Sequence, residues 1–211
     1  SASSTGARLL GYPHYVGTIH AFVNQFLALP LLRSDGEAVD VVDNEIFAAQ
    51  ALSLLRTKWT LNAWVRNNPQ RGPAAIASLR YQGADLTLGY EDGGLPGPGT
   101  ASWTEAQQLK DRLRAKGVFR FDDMFAFAKR LLVRFPDLPK RLSHRFPLVL
   151  IDEMQDTSWA QEDLLARLFD DTVVMQRYGD RNQRILSSGT DAARLTFPRP
   201  QPLNVTSTKR F

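Results

Sequence analysis

The chain has 211 residues, 43% hydrophobic and 23% charged, a balance that supplies a core and excludes an intrinsically disordered protein. It contains no cysteine, which excludes disulfides and thiolate metal sites and fits a reducing compartment. The net charge of +4 admits an anionic partner such as nucleic acid without requiring one, and no polybasic tail, signal peptide or membrane-length apolar stretch is visible.

From about Gly17 to Leu32, the apolar residues Ile19, Phe22, Val23 and Phe26 recur at helical spacing. Thr18 is placed to cap this helix and Pro30 lies near its end. From about Arg33 to Gly117 the pattern is helical but irregular. Asn44 is a candidate cap for a helix carrying Ile46, Phe47, Leu54 and Leu55. Pro73 suits the first turn of a helix over Ala74 to Gln82. The Gly- and Pro-rich stretch Glu91 to Thr100 predicts a loop. Ser102 and Glu105 form a capping-box pattern for the next helix, and Gly117 is a plausible stop. Phe121 to Phe135 predicts a helix with Met124, Phe125, Ala128, Leu131 and Leu132 inward, ended by Pro136.

The continuous apolar run Phe146 to Ile151 predicts a strand buried on both faces, with Asp152 directly after it. Ser158 and Gln161 form a capping box for a helix over Trp159 to Phe169. Thr172 to Met175 predicts a second strand, running on to Gly179 and Asp180. Strand, helix and strand in about 30 residues make a βαβ unit, hence a parallel sheet with a right-handed crossover.

Ligands bind at the carboxyl ends of parallel strands, where Asp152 and Glu153 fall. One carboxylate there can hold Mg²⁺ while the other orients or deprotonates a water. Two acids favoured by a helix dipole would look the same. Gln183 can bond a phosphate oxygen or a water, or be the exposed amide of a plain turn. Thr18 and His20, at a helix N-terminus, can meet a phosphate or belong to an ordinary capped helix. Asp122, Asp123, Asp156 and Thr157 suit helix starts. Trp59, Trp64, Trp103 and Tyr178 are base-stacking candidates by type alone, with packing the simpler reading.

The string Asp152-Glu153-Met154-Gln155-Asp156-Thr157 behind its apolar strand resembles motif II of the UvrD/Rep-type superfamily 1 DNA helicases, Asp-Glu-x-Gln-Asp-Thr. Gly179-Asp180-Arg181-Asn182-Gln183-Arg184-Ile185 resembles their motif III. Gly17-Thr18-Ile19-His20-Ala21-Phe22 resembles their motif contacting single-stranded DNA. Phe121-Asp122-Asp123-Met124 resembles the segment where the chain returns from an inserted helical subdomain. Ser207-Thr208-Lys209-Arg210-Phe211 falls where the family places motif IV.

The resemblance implies ATP and Mg²⁺ as cofactors, with Asp152 and Glu153 serving the metal and the catalytic water. It implies that Gln155 connects the nucleotide site to neighbouring motifs, that Gln183 senses the terminal phosphate, and that Arg210 is an arginine finger. Thr18 and His20 would contact DNA. The implied fold is α/β, a partial RecA-like parallel sheet of P-loop NTPase type with a mostly helical insertion. Residues 1–32 would start the motor lobe, 33–117 form the inserted subdomain, and 118–211 complete the lobe. The implied partners are single-stranded DNA or a single/double-strand junction, and the rest of the helicase chain or a partner subunit. The implied setting is DNA repair in a bacterial-type cytoplasm, on the nucleoid.

The Gly-rich loop ending in Gly-Lys-Thr/Ser, which cradles phosphates in motor ATPases, does not occur in the sequence. In the family it would precede Ser1, and the second lobe would follow Phe211. The expectation is a portion of an ATP-dependent helicase translocating on single-stranded DNA, inactive alone. The alternative is a non-enzymatic DNA-binding or adaptor module that keeps the fold without hydrolysis. A metal-dependent nuclease using Asp152, Glu153 and Asp156 is a weaker third, with no histidine or further acid cluster to support it.

Overall fold

The computed structural model describes residues 12–90, 94–180 and 203, and the chain divides into two compact units, Ser1–Pro136 and Asp137–Phe211. Helices dominate both, and the strands are short, a mixed α/β architecture.

In the first unit the Thr18 hydroxyl accepts the Ala21 N–H at 3.1 Å and starts α1 (Ile19–Val23). A π-helical turn over Asn24–Ala28 and then α2 (Leu29–Ser34) continue the helical path, so Pro30 lies inside it. A proline lacks the N–H and crowds the carbonyl one turn back. The widened turn, in which the Leu29 N–H reaches the Asn24 carbonyl, stands immediately ahead of Pro30. The extra residue rotates the buried stripe. Val23, Leu27, Ala28, Leu31 and Leu32 are buried, while Ile19, Phe22 and Phe26 are only half-buried. Phe22 and Phe26 pack edge-on against Tyr15.

β1 (Val41–Val42) pairs in parallel with β4 (Val118–Phe119). α3 (Asn44–Leu55) is capped by Asp43, not by Asn44: the Asp43 carboxylate accepts the Glu45 and Ile46 N–H groups, each at 2.8 Å. Asn44 instead accepts the Phe121 N–H at 3.1 Å. α4 (Trp59–Asn67) is followed by α5 (Gly72–Ala77), with Pro73 in its first turn as predicted. The predicted helix to Gln82 stops short. β2 (Arg80–Gln82) and β3 (Thr87–Gly89) form an antiparallel hairpin, and the Tyr81 N–H is taken by Asp123 at 2.7 Å. A partner distant in sequence thus overrides the local helical preference.

α6 (Ala101–Ala115) is capped by Thr100, which accepts the Trp103 N–H at 3.2 Å. Ser102 and Glu105 make no box. Ser102 donates to the Thr60 carbonyl at 3.1 Å, and the Glu105 carboxylate accepts the Leu61 N–H at 2.7 Å. They satisfy the open first turn of α4, whose own cap position, Lys58, has no side-chain acceptor. Gly117 ends the region at φ +74°, and a Cβ there would lie 2.6 Å from the Asp40 nitrogen. Phe47, Leu61, Ile76, Leu79, Leu109 and Leu113 join α3 through α6 in one core.

α7 (Phe121–Arg134) buries Met124 through Ala128 and Leu131, the predicted stripe widened by Ala126 and Phe127 but without Leu132, which is half-buried. Its first turn carries a fully buried acid, Asp123, against the equally buried Lys110 of α6. The Lys110 ammonium donates to Asp123 at 2.6 Å and to the Leu79 carbonyl at 3.1 Å, over the Phe47 ring at 4.0 Å. Burial pushes Lys110 down to about 8, against the pull of Asp123.

The second unit holds α8 (Leu138–Arg145), β5 (Leu148–Ile151), a 3₁₀ turn (Met154–Asp156), α9 (Trp159–Leu168) and β6 (Val174–Arg177). β5 and β6 are parallel, Leu148 opposite Val174 and Ile151 opposite Arg177, which is the predicted βαβ unit. The Ser158–Gln161 capping box opens α9 as predicted. The predicted burial of β5 on both faces is not observed. Leu148 and Leu150 are 54% and 58% exposed, and Ile151 is 7% exposed. Side chains of a strand alternate between faces, and among the described residues only the face bearing Ile151 is covered.

Candidate functional site

The two strand ends are locked together beyond the sheet. The Tyr178 N–H donates to the Ile151 carbonyl at 2.8 Å, and the Met154 N–H to the Tyr178 carbonyl at 2.9 Å. Between these bonds Asp152 and Glu153 are exposed. Glu153 has φ +52°, in the left-handed region, an uncommon conformation for a residue with a Cβ. Its N–H donates to the Asp152 carboxylate at 2.9 Å.

Beneath the two acids lies the buried side chain of Gln155. Its Nε2 donates to the Glu153 carboxylate, and its Oε1 accepts the Asp180 N–H at 3.0 Å. An amide offers both a donor and an acceptor, so one side chain ties Glu153 to Asp180, three residues past the end of β6. Behind them Arg177 of β6 meets Glu162 of α9 at 3.4 Å, both nearly buried. The sequence gives no signal for that pair, because strand-to-helix register fixes it and no spacing rule does.

Thr18 and His20 lie in the first unit. Thr18 is exposed, and its oxygen is engaged as the helix cap. His20 is half-buried, edge-on to Phe121 and Phe125 with ring centroids at 5.7 and 5.1 Å. Burial lowers its pKa, opposed by Asp122, which favours the neutral imidazole. Gln183 and Arg210 lie outside the described residues. Of the aromatic candidates, Trp64 and Trp103 are half-buried, Tyr178 bonds Gln176 at 2.6 Å, and Trp59 is 83% exposed.

The donor set bears on the metal. Among the described residues, no three His, Asp or Glu side chains gather as a metal site. The three-carboxylate nuclease arrangement is therefore not formed, and Asp156 has a buried, unpartnered oxygen. Two exposed carboxylates at a strand end do fit Mg²⁺, which takes one or two such ligands and fills its shell with waters and substrate phosphates.

Comparison with known proteins decides the family. Residues 13–187 match the UvrD/REP helicase N-terminal domain. The chain belongs to that family. The matched region of this UvrD/REP helicase N-terminal domain takes in the Thr18 helix start, the Asp152–Thr157 string and Gln183, and ends before Arg210. A stretch of 65 residues is 38% identical to an ATP-dependent helicase/nuclease subunit of Streptococcus sanguinis (strain SK36), covering 29% of this chain and 5% of that protein. No helix among the described residues is long and apolar enough to cross a membrane.

Proposed function

We propose that this UvrD/REP helicase N-terminal domain is the portion of an ATP-dependent DNA helicase that holds the catalytic carboxylates and contacts single-stranded DNA. The observation that carries the reading is the Gln155 amide, which joins Glu153 at one strand end to Asp180 at the next. In this reading β5 and β6 belong to a RecA-like sheet, residues 1–32 and 118–211 to the motor lobe, and 33–117 to an inserted helical subdomain.

Asp152 and Glu153 would hold Mg²⁺, with Glu153 also orienting the attacking water and accepting its proton. Bound with ATP, the metal neutralises phosphate charge. Gln155 makes the position of Glu153 depend on the backbone leading to Gln183, the proposed phosphate sensor. Arg210 is the proposed arginine finger. On the DNA side, Thr18 uses only its oxygen lone pair in capping, which leaves its O–H proton for a phosphate. The neutral His20 would contribute a hydrogen bond rather than charge. The 211 residues contain no Gly-Lys-Thr/Ser string. We therefore infer that hydrolysis needs a phosphate-binding loop from outside them, and that the chain alone does not turn over ATP. The proposed setting is DNA repair in the cytoplasm.

Glu153→Gln in the full-length helicase containing this chain tests the assignment. DNA-stimulated ATP hydrolysis should fall by about a hundredfold or more, with nucleotide binding retained. Normal turnover in the variant would overturn it. A wild-type protein that binds DNA but never hydrolyses ATP would favour the adaptor reading instead.

A further inference from the structure

α4 carries a surface that neither the fold nor the strand-end site uses. Leu61 and Val65 of this helix face the core, while Trp59, Asn62, Ala63, Arg66 and Asn67 line an open depression of about 170 Å³ on its other side. Positions three, four and seven residues after Trp59 share its helix face. The indole is 83% exposed, so its π-face is open to a partner.

Along this segment of the chain the charge is of one sign. From 56 to 72 the chain carries Arg56, Lys58, Arg66 and Arg71 and no Asp or Glu, equal to the net +4 of the whole protein. Among the described residues neither Arg56 nor Arg66 forms an ion pair. The nearby carboxylate of Glu105 is engaged with the Leu61 N–H at 2.7 Å. A tryptophan that anchors a protein partner normally sits in a well-packed pocket from which water is excluded. Here the ring is bordered by two amides, an alanine and a guanidinium. A flat exposed π-face beside an unpaired guanidinium, that of Arg66, is the combination that binds unstacked bases and their phosphates.

We propose that this face of α4 is a second single-stranded nucleic-acid contact, with a base stacked on Trp59 and the flanking phosphate on Arg66. The side-chain amides of Asn62 and Asn67 supply donors and acceptors for base edges. Neither Thr18 nor His20 lines the depression. This contact rests on the helicase reading only for the choice of DNA as the probe.

The test is the affinity of the 211-residue chain for a fluorescein-labelled oligothymidylate of about 16 nucleotides at low salt, read by anisotropy. Trp59→Ala should weaken binding roughly tenfold, with Trp59→Phe retaining most of the affinity, because stacking needs an aromatic face and not an indole. Arg66→Ala should weaken binding and reduce the slope of log affinity against log salt by about one. Trp59 is exposed, so unchanged circular dichroism is expected in its variants. A Trp59→Ala protein that binds like wild type overturns the inference, as does a wild-type chain without affinity for the oligonucleotide. Displacement of the oligonucleotide by polyglutamate at equal charge concentration would show a general acidic-partner surface and overturn it too. If Thr18→Ala with His20→Ala abolishes binding while Trp59→Ala is silent, this inference fails and the DNA reading stands. A Trp59 effect without any ATP turnover in the full-length protein would support the site and count against the motor.

Discussion

Gln155 performs two tasks at once, donating to Glu153 and accepting from Asp180, and it does so from a buried position. Leucine would fill the same volume but remove the bond from the Asp180 N–H to Oε1, a cost of about 0.5–1.5 kcal/mol. Glutamate could still accept from Asp180, but when ionised it has no proton for Glu153 and sets a like charge beside it. On the proposed helicase reading, both Gln155→Leu and Gln155→Glu in the full-length protein should therefore lower DNA-stimulated ATP turnover by at least about tenfold, while nucleotide affinity changes little. Wild-type turnover in Gln155→Leu would reduce the amide to packing. The sequence made Gln155 a candidate through the motif string, but not the identity of both its partners. The left-handed backbone of Glu153 is also invisible beforehand, because local propensity disfavours it for glutamate.

At the level of elements, α6 and α7 are joined through the Lys110–Asp123 pair, which is sealed from water. Asp123 also accepts the Arg120 and Tyr81 N–H groups at 2.8 and 2.7 Å, so it fastens the hairpin β2–β3 as well. Asp123→Ala would strand a buried ammonium and should cost on the order of 3–5 kcal/mol, read from denaturant midpoints. The pH dependence has a definite sign. Below about 8, Lys110 is protonated in both the folded and the unfolded chain. Between about 8 and its ordinary 10.5 the unfolded chain holds the extra proton, so raising the pH favours the fold. Relative to Lys110→Met, the wild type should gain stability across that window, by at most about 1.4 kcal/mol per pH unit. A flat difference between the two proteins would show that the amine does not titrate differently on folding. Caps that act within their own helix, such as Thr18 and Ser158, were legible in the sequence. Asn44, Ser102 and Glu105 were misread because each spends its polar group on a different element.

For the molecule as a whole, the order of segments was legible because apolar period and turn residues are local signals. Which faces are covered was not, since a continuous apolar run looks the same in a two-layer and a three-layer arrangement. β5 makes the point within two residues. Leu150 is 58% exposed and Ile151 7% exposed, although they are adjacent and equally apolar. Parallel sheets are ordinarily covered on both sides, and a two-stranded sheet is marginal by itself. Among the described residues, however, β5 and β6 form a two-stranded sheet. Leu150→Ala in the 211-residue chain should therefore change stability by less than about 0.5 kcal/mol. Ile151→Ala should cost about 2–4 kcal/mol through lost burial and the cavity left behind. If Leu150→Ala costs as much as Ile151→Ala in urea unfolding, the Leu148–Leu150 face is packed in solution. Running the same pair in the full-length protein then separates two cases. A Leu150→Ala penalty that emerges only there assigns the cover of this face to residues outside the 211, whereas a penalty that stays small leaves the face open to solvent in the complete protein as well.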